Sequence, residues 1–307
     1  MSQFITEAFV AQFNSNVMHL SQQQGSRLER TVQKETIKGK IAYFDRIGQV
    51  AAIKKTGRHS STPQLDTPHS RRAVTLDDYQ WADMIDEEDK IRLLIDPTSD
   101  YAIEAAWAFG RAKDDVIIAA ALGNAATGES GQTNVALPST QRRAATDGTA
   151  HSNLNILTLR RVKVMMDSKE VPEKRYMAVT SSQIDSLLST TQVTSSDFNT
   201  VKALVQGDVS QFMGFEFIRT ERLPVAPAGS SANDATGVVG SGTSVTGYRQ
   251  CFAYTPSAIK MAVGADFMTR IDPRPDKSYA TQVYARMSIG AVRMEEEQVV
   301  EVLCKES

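Results

Sequence analysis

Between residues 96 and 123, apolar and small side chains recur at three- and four-residue spacing. Tyr101, Ala105, Ala108, Phe109, Ala112, Val116, Ala119 and Ala120 define one broad side. Pro97 stands at the front, where a helix can spare an N–H, and Gly123 at the back, where a left-handed cap is wanted. The alanine-rich filling favours helix. The pattern predicts a helix over 97–122, about 35–40 Å long at 1.5 Å per residue. Its alanines and Gly110 would let another backbone lie close.

A second amphipathic helix is predicted over 4–20, with Phe4, Ile5, Phe9, Val10, Phe13, Val17, Met18 and Leu20 on one stripe. The polar run S-Q-Q-Q-G-S then breaks it. Two-residue alternation in G-K-I-A-Y-F-D (39–45) and Q-V-A-A-I-K-K (49–55) predicts two strands joined by a turn near 45–48. Residues 56–80 hold Pro63, Pro68 and Gly57 among many hydroxyls, which reads as the tip of a long extended loop. Residues 124–151 read as a surface loop ending at a domain boundary. Residues 153–224 read as a compact α/β unit: helix, strand at R-Y-M-A-V-T, serine-capped helix at 181–189, a further helix at 195–207, and a strand at F-E-F-I-R. The Gly/Ser-rich stretch 225–247 reads as a flexible loop. Strands follow in Y-R-Q-C-F-A-Y, and from Ser278 on, with Tyr279, Val283, Ala285, Met287 and Ile289 on one face. A turn near 290–297 and a last strand through Val300, Val302 and Cys304 close the chain. The long helix is the expected surface for these strands.

Charge adds one contrast. The 307 residues are 41% hydrophobic and 23% charged, with a formal net charge of -2, so no global basic field advertises nucleic acid. Locally, Lys54, Lys55, Arg58, Arg71 and Arg72 make the extended loop basic, whereas Asp83, Asp86, Glu87, Glu88 and Asp89 make the next segment acidic. An acidic run most often marks a solvated turn. The sharper reading is that the basic loop of one copy pairs with the acidic run of another.

Candidate chemistry is sparse. His19, His59, His69 and His151 show no metal or metalloprotease spacing, and Cys251 and Cys304 are too far apart to suggest a metal motif or a disulfide framework. No nucleophile elbow or phosphate-binding loop is present; G-N-A-A-T-G-E-S-G lacks the Gly-Lys-Ser/Thr ending. No catalytic, cofactor or metal residue is assigned. The N-terminus lacks the pattern of a signal peptide, and no run has the length of a membrane span. These features fit a protein made in a cytosol.

The order of elements resembles the major capsid protein of tailed double-stranded-DNA bacteriophages, a fold shared with encapsulins. Local runs carry the resemblance: V-M-H-L-S-Q-Q-Q-G-S-R-L-E-R-T-V (17–32), G-K-I-A-Y-F-D-R-I-G (39–48), D-P-T-S-D-Y (96–101) and M-G-F-E-F-I-R-T-E-R-L-P (213–224). The resemblance implies an α+β fold with an N-terminal arm (1–30) and a peripheral domain (31–151) that carries the extended loop (40–78) and spine helix (97–122). An axial domain (152–265) and peripheral return strands (266–307) complete it. It implies a structural protein, not an enzyme, that builds an icosahedral virion shell around double-stranded DNA from hexamers and pentamers of itself, assembled in the bacterial host cytoplasm. A scaffolding protein, a portal and a cement protein are the implied partners; no membrane and no cofactor is implied, and DNA is touched without sequence preference. Lys54, Lys55, Arg58, Arg71 and Arg72 would meet Asp86, Glu87, Glu88 and Asp89 of another subunit. Two alternatives stay open: an encapsulin-like compartment enclosing enzymes, and a soluble enzyme with an unrecognised site.

Overall fold

A computed structural model describes residues 21–58, 61–62, 64–86, 98–148, 150–189, 211–232 and 243–306. The helix expected at 4–20, the helix expected at 195–207, Pro97, and the acidic residues Glu87, Glu88 and Asp89 lie outside the described residues. The chain order is β1 (Gln33–Thr36), β2 (Ile41–Ile47), β3 (His69–Thr75), β4 (Asp77–Ile85), α1 (Thr98–Leu122), β5 (Ala125–Thr127), β6 (Thr133–Val135) and β7 (Arg142–Ala144). Then come α2 (Ile156–Asp167), β8 (Arg175–Val179), α3 (Ser181–Ser189), β9 (Gln211–Phe212), β10 (Phe215–Arg219), β11 (Ser231–Ala232) and β12 (Thr243–Ser244). The long strands close the chain: β13 (Arg249–Tyr254), β14 (Ile259–Pro273), β15 (Thr281–Arg293) and β16 (Val299–Cys304).

The described parts form two compact units. The larger comprises Arg27–Asp77, Lys113–Gly264 and Ile289–Ser307. Its main sheet runs β7-β16-β13-β8-β10-β9. β8 pairs parallel with β10 and antiparallel with β13, and β16 lies antiparallel to β13 and parallel to β7. Every residue of β8 and of β16 is buried, as expected of inner strands covered on both faces. The core they enter also takes Leu159, Val162 and Met166 of α2, Ile184 and Leu187 of α3, and Ile117, Ile118 and Ala121 of α1. α2 begins where Asn155 Oδ1 accepts the N–H of Thr158 at 2.8 Å. Its buried face is Thr158, Leu159, Val162 and Met166; Leu157 and Met165 are half-buried.

A second sheet in this unit runs β2-β3-β5-β6. β2 and β3 form an antiparallel ribbon, in register from Ile41 opposite Thr75 to Ile47 opposite His69. The strand at 41–47 matches the alternation. Residues 49–55, expected to be its partner, form no strand; β3 takes that edge instead, and Val50 and Ile53 are left exposed. The expected surface loop at 124–151 is also more ordered than its composition suggests. It contains β5, which pairs with β3, β6, which pairs with β5 at the sheet edge, and β7, which pairs with β16 at the edge of the main sheet. β16, expected among peripheral return strands, is an inner strand of the six-stranded sheet.

The smaller unit comprises the described parts of Met1–Ser26, Asp78–Ala112 and Ala265–Ser288. Here the distal lengths of β14 and β15 lie side by side, with β4 along the other edge of β15. Val283, Ala285 and Met287 point into the unit while Arg286 is exposed. Phe267 of β14 meets Phe109 of α1 edge to face, with ring centroids 5.4 Å apart, so helix and strands pack together as expected. Tyr279, expected on the apolar face, instead sits in the turn before β15 with φ +59° and is exposed.

α1 itself is the helix that the spacing predicts. Ala105 and Phe109 are buried in the smaller unit, whereas Asp114, Ile117, Ile118 and Ala121 (i, i+3, i+4, i+7) are buried in the larger, and Ala119 is exposed. Gly123 is not left-handed, contrary to expectation. Its N–H bonds the carbonyl of Ala119 at 2.8 Å, and a Cβ there would lie 2.6 Å from that oxygen, so close approach is what requires glycine.

Candidate assembly surfaces

Strand alternation gives the ribbon two unlike faces. On the inner face, Phe44 and Val74 join Ala125, Ala262, Val292 and Met294 in a small core. On the outer face, Ile41, Tyr43 and Ile47 are exposed, Ile47 to 70%. The connection from 48 to 68 adds exposed Val50, Ile53 and Leu65. An uncovered apolar run of this kind commonly marks a protein-interaction surface.

Arg71 lies on the outer face. Its Nε donates to Asp45 Oδ1 at 2.7 Å, directly across the ribbon, and its guanidinium stands 5.4 Å from the centre of the Tyr43 ring. This bond holds the Asp45 carboxyl below its ordinary value and raises the arginine. Both groups are exposed, so the pair orders the surface more than it stabilises the chain. Lys54, Lys55 and Arg58 lie exposed along the 48–68 connection and enter no ion pair among the described residues. Asp86 is exposed just beyond β4.

Arg72 departs from the expected basic tip. Its side chain is 1% exposed and points inward midway along the ribbon, opposite Phe44, where it pairs with Glu296. Its Nε also donates to the carbonyl of Met294 at 3.4 Å. Glu296 takes two further arginines, Arg46 of β2 and Arg293 of β15, each at 3.8 Å. Arg293, wholly buried, reaches across to the end of α1. It donates to the carbonyls of Ala121 (2.9 Å) and Gly123 (2.6 Å), and to Val135 (3.0 Å). The helix terminus expected to end on a glycine cap is therefore held by an arginine 170 residues away, with the charge sign that a helix C-terminus favours. Burial pushes both Arg72 and Arg293 below the ordinary arginine range, and the neighbouring carboxylate of Glu296 opposes the shift. A groove of about 590 Å³ runs beside this cluster.

Sequence reading did not single out Arg293 or Glu296. The run E-E-E at 295–297 was a visible signal, because a carboxylate run next to a buried strand needs cations nearby. Among the described residues, no group of three or more His, Cys, Asp or Glu is placed to hold a metal ion. His151 meets Tyr248, with Nδ1 3.3 Å from its Oη, and Cys251 and Cys304 are free and buried. Among the described residues, no helix is long and apolar enough to cross a membrane.

A sheet-and-helix body, a long helix and an exposed ribbon together make the fold of a tailed-phage major capsid protein. The chain superposes on the capsid of the cyanophage P-SCSP1u with a TM-score of 0.74, at 18% identity, covering 99% of this chain and 95% of that one. The capsid of Ralstonia phage GP4 matches with a TM-score of 0.70 at 10% identity, over 97% and 96% of the two chains. The cyanophage Pam1 capsid matches with 0.69 at 13% identity, over 97% of each. No curated protein matches the sequence. A family model described as phage capsid protein matches residues 5–306, and the chain belongs to that family. It is a structural major capsid protein of a bacteriophage and a virion component. The enzyme and encapsulin readings find no support in these matches.

Proposed function

We propose that this chain assembles with copies of itself, as hexamers and pentamers, into an icosahedral shell around a double-stranded DNA genome. The observation that carries the reading is the ribbon with its 48–68 connection. Its outer apolar residues Ile47, Val50, Ile53 and Leu65 stand exposed on their own chain. A neighbouring subunit is the natural cover for them. Lys54, Lys55, Arg58 and Arg71 then lie where they would meet Asp86, Glu87, Glu88 and Asp89 of that neighbour. Each exposed pair contributes well under about 1 kcal/mol. Repetition around a closed shell multiplies such contacts, and weak single contacts let misplaced subunits leave.

In this reading residues 1–30 form an arm on a neighbour, and 152–265 together with β16 form the part that meets its copies at the vertices. The net charge of -2 suits a wall that touches DNA without reading it. Scaffolding protein, portal and cement protein are the expected helpers, with assembly in the host cytoplasm.

The test is sedimentation of the purified chain, alone and co-expressed with the scaffold gene product, then negative-stain microscopy of the fastest fraction. Closed shells of megadalton mass are expected. A small discrete oligomer under both conditions would overturn the reading.

A further inference from the structure

Glu296 is shared by three arginines from three segments, and they are held unequally. Arg293 is fixed without Glu296, because its guanidinium donates to the carbonyls of Ala121, Gly123 and Val135. Arg46 and Arg72 stand on the paired strands of the ribbon. Phe44 lies opposite Arg72, and Arg46 is two residues beyond Phe44, so both arginines project from the ribbon's inner face. Beyond Glu296, both arginines donate to the carbonyl of Met294, and Arg46 also donates through Nε to Ser70 Oγ on the facing strand, at 3.1 Å. β3 is also paired to β5 through Arg72 and Ala73, so Glu296 adds a charged tie between the inner face of the ribbon and the end of α1.

Charge makes the tie asymmetric. Three guanidinium groups face a single carboxylate, and Arg72 and Arg293 are almost without solvent. Nη1 of Arg72 is buried with no hydrogen-bond partner. Removing the one negative charge leaves three cations facing each other where water screens them poorly. The groove beside the cluster is lined by Arg46, Ser70, Val135, Glu295, Glu296 and Glu297.

We propose that Glu296 is the positioning residue of the ribbon: it sets the direction in which the ribbon and its 48–68 connection leave the subunit. The importance of that direction for assembly rests on the reading that the ribbon lies on a second copy. Replacing Arg72 and Glu296 together by methionines removes the buried pair without leaving either charge alone, a change that similar sites tolerate.

The experiment uses the full-length wild-type chain, Glu296→Gln, and the double variant Arg72→Met with Glu296→Met. Hydrogen–deuterium exchange of the unassembled chain is read in 41–47 and 69–75 against 249–254 and 299–304, and assembly is read by sedimentation and microscopy. Glu296→Gln is expected to speed ribbon exchange by about tenfold while leaving β13 and β16 unchanged, with fewer closed particles. The double variant is expected to restore ribbon protection. Unchanged ribbon exchange in Glu296→Gln overturns the proposal, and so does an equal rise in both regions, which would mark general destabilisation. If Glu296→Gln does not fold, Glu296→Asp replaces it; faster exchange confined to the ribbon supports the proposal and wild-type exchange overturns it. Should the wild type never form shells, the capsid assembly reading fails, while the exchange comparison still decides the role of Glu296.

Discussion

The carboxylate of Asp114, in the middle of α1, accepts the main-chain N–H of Leu28 at 3.1 Å. It also accepts the N–H of Arg27, at 3.1 and 3.2 Å. Asp114 is wholly buried, and so is Leu28. The segment entering the larger unit is thus tied to the helix through a charged acceptor in a dry site. Asp114→Ala would leave these buried donors unsatisfied, and is expected to cost about 2–3 kcal/mol. Asp114→Asn, which keeps an acceptor but loses the charge, should fall between it and the wild type. Urea denaturation midpoints would check the order; equal stability of all three would refute it.

Gly110 is the second place where α1 depends on one atom. A Cβ there would lie 2.5 Å from the main chain of Gly25 and 2.7 Å from the nitrogen of Ser26. Helix propensity favours alanine over glycine by about 1 kcal/mol. The clash is with backbone, which cannot rotate away, so Gly110→Ala is expected to destabilise by a net 1–3 kcal/mol or so. A thermal melt showing a higher midpoint would mean that the segment at Gly25 is not seated against the helix.

Two neighbouring arginines should behave in opposite ways. Arg71→Glu changes an exposed residue, and is expected to leave the unassembled chain folded while reducing assembly. Arg72→Glu sets a second carboxylate against Glu296 in a buried site, and is expected to destabilise the ribbon by about 3–5 kcal/mol. Circular dichroism with urea titration separates the two. Equal stability of both variants would contradict the inward placement of Arg72.

The turn between β14 and β15 gives a pH signature. Arg274 bonds both oxygens of Asp276, at 2.8 and 2.7 Å, and this pairing lowers the Asp276 carboxyl from 3.8 to about 2. A depressed folded value means that the contribution is fully present above the ordinary carboxyl range. It diminishes as pH falls below that range and is lost as pH passes through about 2. A carboxyl-carbon NMR titration should therefore find Asp276 still ionised at pH 3, and Arg274→Ala should return its midpoint toward 3.8. A midpoint near 3.8 in the wild type would show that the pair does not persist in solution.

Periodicity was readable where a single element decides it. The spacing in 97–122 identified α1, and the alternation in 39–45 identified the strand that the structure places at Ile41–Ile47. Partners were not readable from the same patterns. Residues 49–55 alternate as well as 41–47 do, but a strand needs another strand's hydrogen-bonding edge, and His69–Thr75 holds it. The Gly- and Thr-rich composition of 124–151 concealed three short strands, because their place comes from edges offered by β3 and β16.

At the ribbon the division is sharpest. The sequence by itself determined that a strand lies around 39–45, that the loop it opens is basic and poor in core residues, and that Arg71 and Arg72 in any strand point to opposite faces. Which arginine points outward was decided only in three dimensions. Arg72 turns inward because Phe44 and Val74 need the small core, and the face that buries them carries Arg72 to Glu296. A period of two residues defines two faces, but the energy that chooses between them comes from neighbours more than fifty residues away.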